Sequence, residues 1–268
     1  MRGFVDLHCH WVAAIDDGAR TADEGLTMLR RLREVGFDDV VATPHMRPGM
    51  FDNDRARIER AFGEMQRILA QLALLEHPAS TKEVPAVHLA SEHFFDDVVF
   101  GRLVRGEALP YRPSDAPAEE ASPAGGSART ARPRCVLVEF GQGAFPLRAQ
   151  HRFFDLRRAG LQPVLAHPER YDPVWKDDAC LDPLLDAGAH LLLDVCSLVG
   201  KYGRAPQRAA EKLLEDDAYE AACSDAHRVA DVDVVASAID RLTVLVGKEE
   251  GQRLLGDGPR AILRGTSE

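Results

Sequence analysis

A chain of 268 residues with 45% hydrophobic side chains can bury a full core, so disorder as its general state is excluded. Its length fits one large α/β barrel or two small domains. The 33 Lys and Arg against 43 Asp and Glu leave a formal charge of −10, which argues against a nucleic-acid coat or a basic membrane-surface peptide.

In chain order, the first predicted strand is Gly3–His8 and the first helix Thr21–Val35, where Thr21 as N-cap and Glu24 three residues on form a capping box. A second strand, Asp38–Thr43, precedes a helix between Asp52 and Leu75. There Ile58, Phe62, Met65, Leu69 and Leu72 make one apolar stripe, read as core packing. Strand Ala86–Ala90 and helix Phe95–Arg105 come next. Pro113–Pro133, rich in Pro, Ala, Ser and Gly, lacks apolar period and is expected to be a mobile surface insertion on the N-terminal side of the strands. Beyond it, strand Cys135–Phe140 leads to helix Pro146–Ala159, strand Gln162–His167 to helix Asp178–Ala187, and strand His190–Val195 to helix Pro206–Leu214. Strand Tyr219–Ser224 and helix Val232–Val246 close the pattern. Such alternation predicts a parallel sheet with crossover helices in a single domain over 1–268.

No run approaches the roughly 20 apolar residues of a membrane span, and MRGFVDLHCHW lacks the apolar stretch of a secretion signal. Five scattered cysteines with no CxxC pair are expected to stay reduced. Both features predict a cytoplasmic protein without membrane insertion.

Chemistry concentrates at the strand ends. In Asp6-Leu7-His8-Cys9-His10, alternation puts Asp6, His8 and His10 on one face and Leu7 and Cys9 on the other, leaving Cys9 as a core thiol. His45, Glu92, Glu139, His167, Asp225 and His227 fall at the ends of later strands, where barrel enzymes build their sites. Such a ring of imidazoles and carboxylates is self-repelling or badly desolvated without cations, so a multinuclear metal site is expected. Its N/O chemistry admits zinc, manganese or iron. His77, His88, His93, His151 and His190 read as surface or packing residues.

Rival motifs are missing: the sequence contains no GxxxxGK[ST], HExxH or GxSxG. No cysteine is followed six residues later by arginine, which excludes a cysteine phosphate loop. Asp231-Val232-Asp233-Val234-Val235 is similar to an aspartate-nucleophile motif, but it opens a helix instead of ending a strand.

Several segments occur in order: Asp16-Asp17-Gly18 before a helix, Ala42-Thr43-Pro44-His45-Met46-Arg47-Pro48-Gly49-Met50-Phe51, Val138-Glu139-Phe140, Ala166-His167-Pro168-Glu169-Arg170-Tyr171, Ser197-Leu198-Val199-Gly200-Lys201-Tyr202-Gly203-Arg204 and Ser224-Asp225-Ala226-His227. In these the sequence resembles the PHP (polymerase and histidinol phosphatase) superfamily. More closely, it resembles the bacterial manganese-dependent protein-tyrosine phosphatases of capsule and exopolysaccharide operons.

The resemblance implies an α/β fold, a distorted TIM-like (β/α)7 barrel, with three divalent metal ions at the C-terminal ends of the strands. Manganese is the expected metal, with iron, zinc or cobalt as alternatives. On that pattern His8, His10, Glu92 and Asp225 hold one ion, Glu92 bridges to a second held by Glu139 and His167, and Asp17, His45 and His227 hold the third. Asp17 and Glu139 stand where histidinol-phosphatase relatives tend to have histidine, which favours the tyrosine-phosphatase branch. Hydrolysis would use metal-activated water with no phosphoenzyme.

Arg170, three residues after His167, is placed for a bidentate grip on phosphate, and Asp225 counts among the catalytic residues. The position of the family's second phosphate-binding arginine is Val232 here, so the expectation is either that Arg228, Arg47 or Arg204 substitutes or that phosphotyrosine affinity is reduced. Asp6 is expected to orient a ligand histidine. The implied partner is a phosphotyrosine-bearing protein, a bacterial tyrosine kinase controlling polysaccharide export. Alternatives are a small-molecule phosphatase such as histidinol-phosphate phosphatase, a non-catalytic regulatory barrel and, last, a nuclease, for which no basic groove to track nucleic acid is visible.

Overall fold

The computed structural model describes residues 2–75, 84–112 and 134–266; the insertion expected at Pro113–Pro133 and His77 lie outside these residues. Strand β1 (Phe4–Cys9) leads to helix α1 (Ala22–Val35). Thr21 Oγ1 accepts the Glu24 amide at 3.2 Å, while the Glu24 carboxylate accepts the Arg20 amide at 2.9 Å, so the reciprocal half of the box closes one residue before the cap. Gly36, at φ +126°, turns the chain straight into β2 (Phe37–Ala42).

Pro44 has no amide proton for the ladder, and the second strand breaks there before resuming as β3 (His45–Met46). Helix α2 (Arg55–Leu75) buries Ile58, Phe62 and Met65 of the expected stripe. The third strand is interrupted likewise, as β4 (Ala86–Leu89) and β5 (Glu92–Phe94). Then come α3 (Asp97–Val104), β6 (Arg134–Glu139), α4 (Ala149–Arg158), β7 (Leu161–Ala166), α5 (Asp172–Lys176), α6 (Asp182–Asp186) and β8 (His190–Asp194). Helix α7 (Arg204–Glu215), β9 (Ala221–Cys223), α8 (Val229–Gln252) and α9 (Gly258–Arg264) complete the order. The helix expected over Asp178–Ala187 divides into a 3-10 turn at Asp178–Leu181 and the short α6, with Pro183 in its first turn.

Among the described residues the named strands pair with one another in parallel, in the orders β1-β2-β4 and β3-β5-β6-β7-β8-β9. Because β3 continues β2 and β5 continues β4, these strands follow the seven-strand path read from sequence. On the far side a parallel bridge joins Cys9 to Ala226. The Asp225 amide donates to His8 O at 3.0 Å and the His10 amide to Ala226 O at 2.9 Å, which brings the chain beyond β9 back to β1. The arrangement is TIM-barrel-like, as expected.

Strand side chains sort into two apolar layers by alternation. Val5, Leu7, Val41, Leu137, Val164 and Leu192 form an inner cluster with Ile262 and Leu263 of α9. Their neighbours Val40, Val136, Val138, Leu165, Leu191 and Leu193 pack with Leu29, Phe153, Leu213 and Leu242 of the covering helices. Sequence reasoning missed α9. At β1 the expected alternation is corrected: Leu7 joins the inner cluster and Cys9 the outer one. The pairing of β1 with β2 shifts register between Asp6 and Cys9, and that irregularity breaks the period. No helix among the described residues is long and apolar enough to cross a membrane.

Candidate metal centre

Parallel strands deliver their C-terminal side chains to one rim, and all nine expected ligands are gathered there. Glu92, at the start of β5 and 1% exposed, is the hub. Its Oε2 lies 3.2 Å from His8 Nε2, 3.4 Å from His10 Nε2 and 3.0 Å from His45 Nδ1, while Oε1 lies 3.3 Å from His167 Nε2. Asp225 Oδ1 stands 3.2 Å from His8 Nε2 and 3.6 Å from both His10 Nε2 and His227 Nδ1. Asp17 Oδ1 faces His45 Nε2 at 3.4 Å and His227 Nε2 at 3.6 Å.

Ligand atoms converge in three groups: His8, His10 and Glu92; His45, Glu92 and Glu139; and His10, Asp17, His45 and His227. This grouping overlaps more than the partition implied by the resemblance. His10 and His45 each enter two groups, and His167 meets Glu92 without joining Glu139.

The donor set fits divalent cations on a direct observation. Four buried atoms of these residues, Glu92 Oε2, Glu139 Oε2, Asp225 Oδ1 and His45 Nδ1, have no hydrogen-bond partner although each faces another donor or acceptor of the cluster. Leaving so many buried polar atoms unpaired costs about 1–3 kcal/mol each, more where charged. Coordination is the chemistry that satisfies all of them together.

Electrostatics of the side chains alone run the same way. Burial disfavours the charged His45 ring, yet Glu92 and Asp17 lift it to about 10. Burial and the Glu92 charge raise Glu139 to about 7, and burial with Arg170 nearby lowers His167 to about 4, keeping the neutral imidazole that binds metals. His167 and Asp225 both hold left-handed backbone, at φ +35° and +44°. Non-glycine residues at positive φ cluster at functional sites.

Asp16, beside the expected ligand Asp17, carries no expectation of its own from sequence but organises two imidazoles. Its Oδ2 meets His10 Nδ1 at 2.8 Å and accepts the His45 amide at 3.0 Å, while Oδ1 accepts the Gly18 amide at 3.0 Å. One carboxylate thereby fixes the tautomer of one imidazole and the backbone of another. Asp16→Asn is expected to weaken metal retention about 10- to 100-fold, read by chelator competition. Asp6, expected to orient a ligand histidine, touches no imidazole among its hydrogen bonds. It accepts the Ser224 hydroxyl at 2.5 Å and amide at 3.0 Å and the His8 amide at 3.3 Å, stitching β1 to the chain beyond β9.

His93 is a packing residue. Its Nδ1 donates to Leu137 O at 2.8 Å and its Nε2 accepts the Leu109 amide at 3.3 Å. Neither Cys9 nor Cys223 aims at the site: their thiols donate to Ala226 O and Leu193 O.

Arg170 lies on the rim, where Nη1 donates to Asp225 Oδ2 at 2.5 Å and stands 3.7 Å from Asp194 Oδ2. Its guanidinium packs 4.3 Å from the Tyr202 ring centre. Glu169 takes no part in that ion pairing. Its buried carboxyl accepts the Ser197 and Tyr219 hydroxyls and the Asp194 amide, each at 3.0 Å. Arg47 stacks over Phe94 at 4.0 Å, its charge bearing on Glu139, whereas Arg204 and Arg228 are exposed. Val232 is buried in the outer core against the covering helices.

The chain matches the family model described as "Capsular polysaccharide synthesis, CpsB/CapC" over residues 4–95 and 101–264. It is 25% identical over 225 residues to tyrosine-protein phosphatase YwqE of Bacillus subtilis, covering 84% of this chain and 78% of that protein. To tyrosine-protein phosphatase CpsB of Streptococcus pneumoniae it is 23% identical over 265 residues, covering 97% and 98%. A solved structure, reported with YwqE and CpsB as "unique metal-dependent tyrosine phosphatases", superposes with a TM-score of 0.79 at 24% identity, covering 98% of this chain and 95% of that one. A phosphotriesterase homology protein from Escherichia coli, at TM-score 0.57 and 13% identity over 97% of this chain and 98% of that one, has the same general fold.

Proposed function

From the premise that this chain belongs to the capsular polysaccharide synthesis family CpsB/CapC, we propose that it is a metal-dependent protein-tyrosine phosphatase. The observation that carries the reading is the hub at Glu92, where four imidazoles surround one buried carboxylate beside an arginine on the rim. His8, His10, Asp17, His45, Glu92, Glu139, His167, Asp225 and His227 would hold three divalent ions, manganese first, within one phosphatase domain.

Bound divalent cations supply Lewis acidity, which acidifies water and offsets charge growing on phosphoryl oxygens. The chain's own residues do the rest. Arg170 presents a planar fork to the phosphate, held in orientation by the Tyr202 ring and by Asp194 behind it. Asp225 touches both the imidazole cluster and Arg170, and so couples phosphate position to ligand position. The Arg47–Phe94 stack adds a cation and an aromatic face.

The substrate class is a phosphotyrosine-bearing protein, on the resemblance a bacterial tyrosine kinase of polysaccharide export. Five free cysteines accord with a reducing, cytoplasmic setting.

The test is hydrolysis of a phosphotyrosyl peptide by metal-stripped protein with Mn, Fe, Zn, Co or Mg added back. Metal-restored turnover is expected, with histidinol phosphate a poor competitor. Folded, metal-loaded protein that leaves the peptide intact would overturn the reading.

A further inference from the structure

Position 232 presents a buried valine to the core, so it cannot offer a charge to the strand ends. The loop after β8 places another cation on the rim. Gly200, at φ +76°, donates its amide to Ser197 O at 3.0 Å, and Gly203 donates to Gly200 O at 3.0 Å, a tight turn that carries Lys201 and Tyr202. Lys201 Nζ sits 2.8 Å from Asp231 Oδ1 with 21% of the side chain exposed. It lies 5.1 Å from the centre of the same Tyr202 ring on which Arg170 packs. Asp194, beside Arg170, also acts on Lys201 by its charge.

Lys201 holds only one of the two Asp231 oxygens. Asp231 Oδ2 already accepts the His227 amide at 3.0 Å and the Arg228 amide at 2.9 Å, so the turn bearing His227 keeps its cap if the ammonium swings away. Resting on the proposed phosphatase reading, we propose that Lys201 is the second phosphate-binding cation of the site. It closes on the phosphoryl oxygens from the β8 side while Arg170 grips from the β7 side. Lysine suits the part, as a compact point charge on a flexible stem that reaches from its resting carboxylate to a ligand. Arg204 and Arg228, the exposed candidates from sequence, lack this shared aromatic platform among the observed contacts.

The experiment compares metal-loaded full-length Lys201→Met, Lys201→Arg and Asp231→Asn with the parent chain. KM and kcat are measured for a phosphotyrosyl peptide, and inorganic phosphate binding is measured separately by calorimetry. Lys201→Met is expected to raise KM and weaken phosphate binding about tenfold with metal content unchanged, a loss typical of one charge-assisted contact. Lys201→Arg should recover most of it. Asp231→Asn, which breaks the same ion pair but keeps the ammonium, should bind phosphate as well as the parent chain. Equal losses in Lys201→Met and Asp231→Asn would reduce Lys201 to a structural partner and overturn the proposal, as would phosphate affinity unchanged in Lys201→Met. Were the peptide not turned over by any form, the phosphatase reading would fall, while calorimetry would still decide whether Lys201 binds phosphate.

Discussion

Glu92→Gln is expected to cut phosphotyrosyl turnover by about a thousandfold or more, roughly 4 kcal/mol of barrier, and to strip most of the bound metal. The substitution keeps shape and volume and removes only charge and one acceptor, so the effect isolates the carboxylate. That carboxylate is shared by the His8–His10 and the His45–Glu139 groups, and no other residue belongs to both. With an amide there, His8, His10, His45 and His167 lose their common anion, and an NH2 group takes the place of an oxygen that faces ring nitrogens at 3.0–3.4 Å. Two measurements check it. Metal per chain should fall, and the gain in melting temperature on adding metal should nearly vanish, because a ligand stabilises only in proportion to its affinity for the folded state. A variant with full metal content and near-parental turnover would remove Glu92 from the centre of the site.

The order of strands was legible because a parallel strand buried on both faces reads as a continuous apolar run, and its last residues face the rim. Glu139 fell under that rule as the last residue of β6, and His45, Glu92, His167 and Asp225 under the same rule at or just past the ends of the expected strands. What stayed hidden depends on breaks in periodicity. The register shift in β1 puts Leu7 and Cys9 in different layers, a result of inter-strand pairing that no local pattern encodes. Asp16 escaped notice because adjacent acids look interchangeable in sequence. Only the turn that gives Gly18 N to one Asp16 oxygen and His10 to the other tells it from Asp17, whose side chain is half exposed. Position 232, where the resemblance expects an arginine, holds a valine buried in the core, as its apolar side chain alone suggests.

Arg170→Ala is expected to lower kcat/KM for the phosphotyrosyl peptide about a hundredfold to a thousandfold, the usual consequence of deleting a preorganised donor aimed at developing charge. Part of the loss arises behind the substrate. Asp194 is fully buried, with Oδ2 lacking a hydrogen-bond partner, and burial together with the Asp225 charge already raises it to about 6. Removing the guanidinium 3.7 Å away pushes it further toward its neutral acid and frees Tyr202 from the surface on which it packs. Arg170→Lys separates these contributions. It keeps the charge that Asp194 and Asp225 need, but a point charge cannot donate two parallel hydrogen bonds or stack flat on the ring. The lysine variant should therefore retain the thermal stability of the parent chain while its KM stays raised by an order of magnitude or more. Parental KM in Arg170→Lys would mean that charge alone serves the site, and parental kcat/KM in Arg170→Ala would place phosphate recognition elsewhere on the rim.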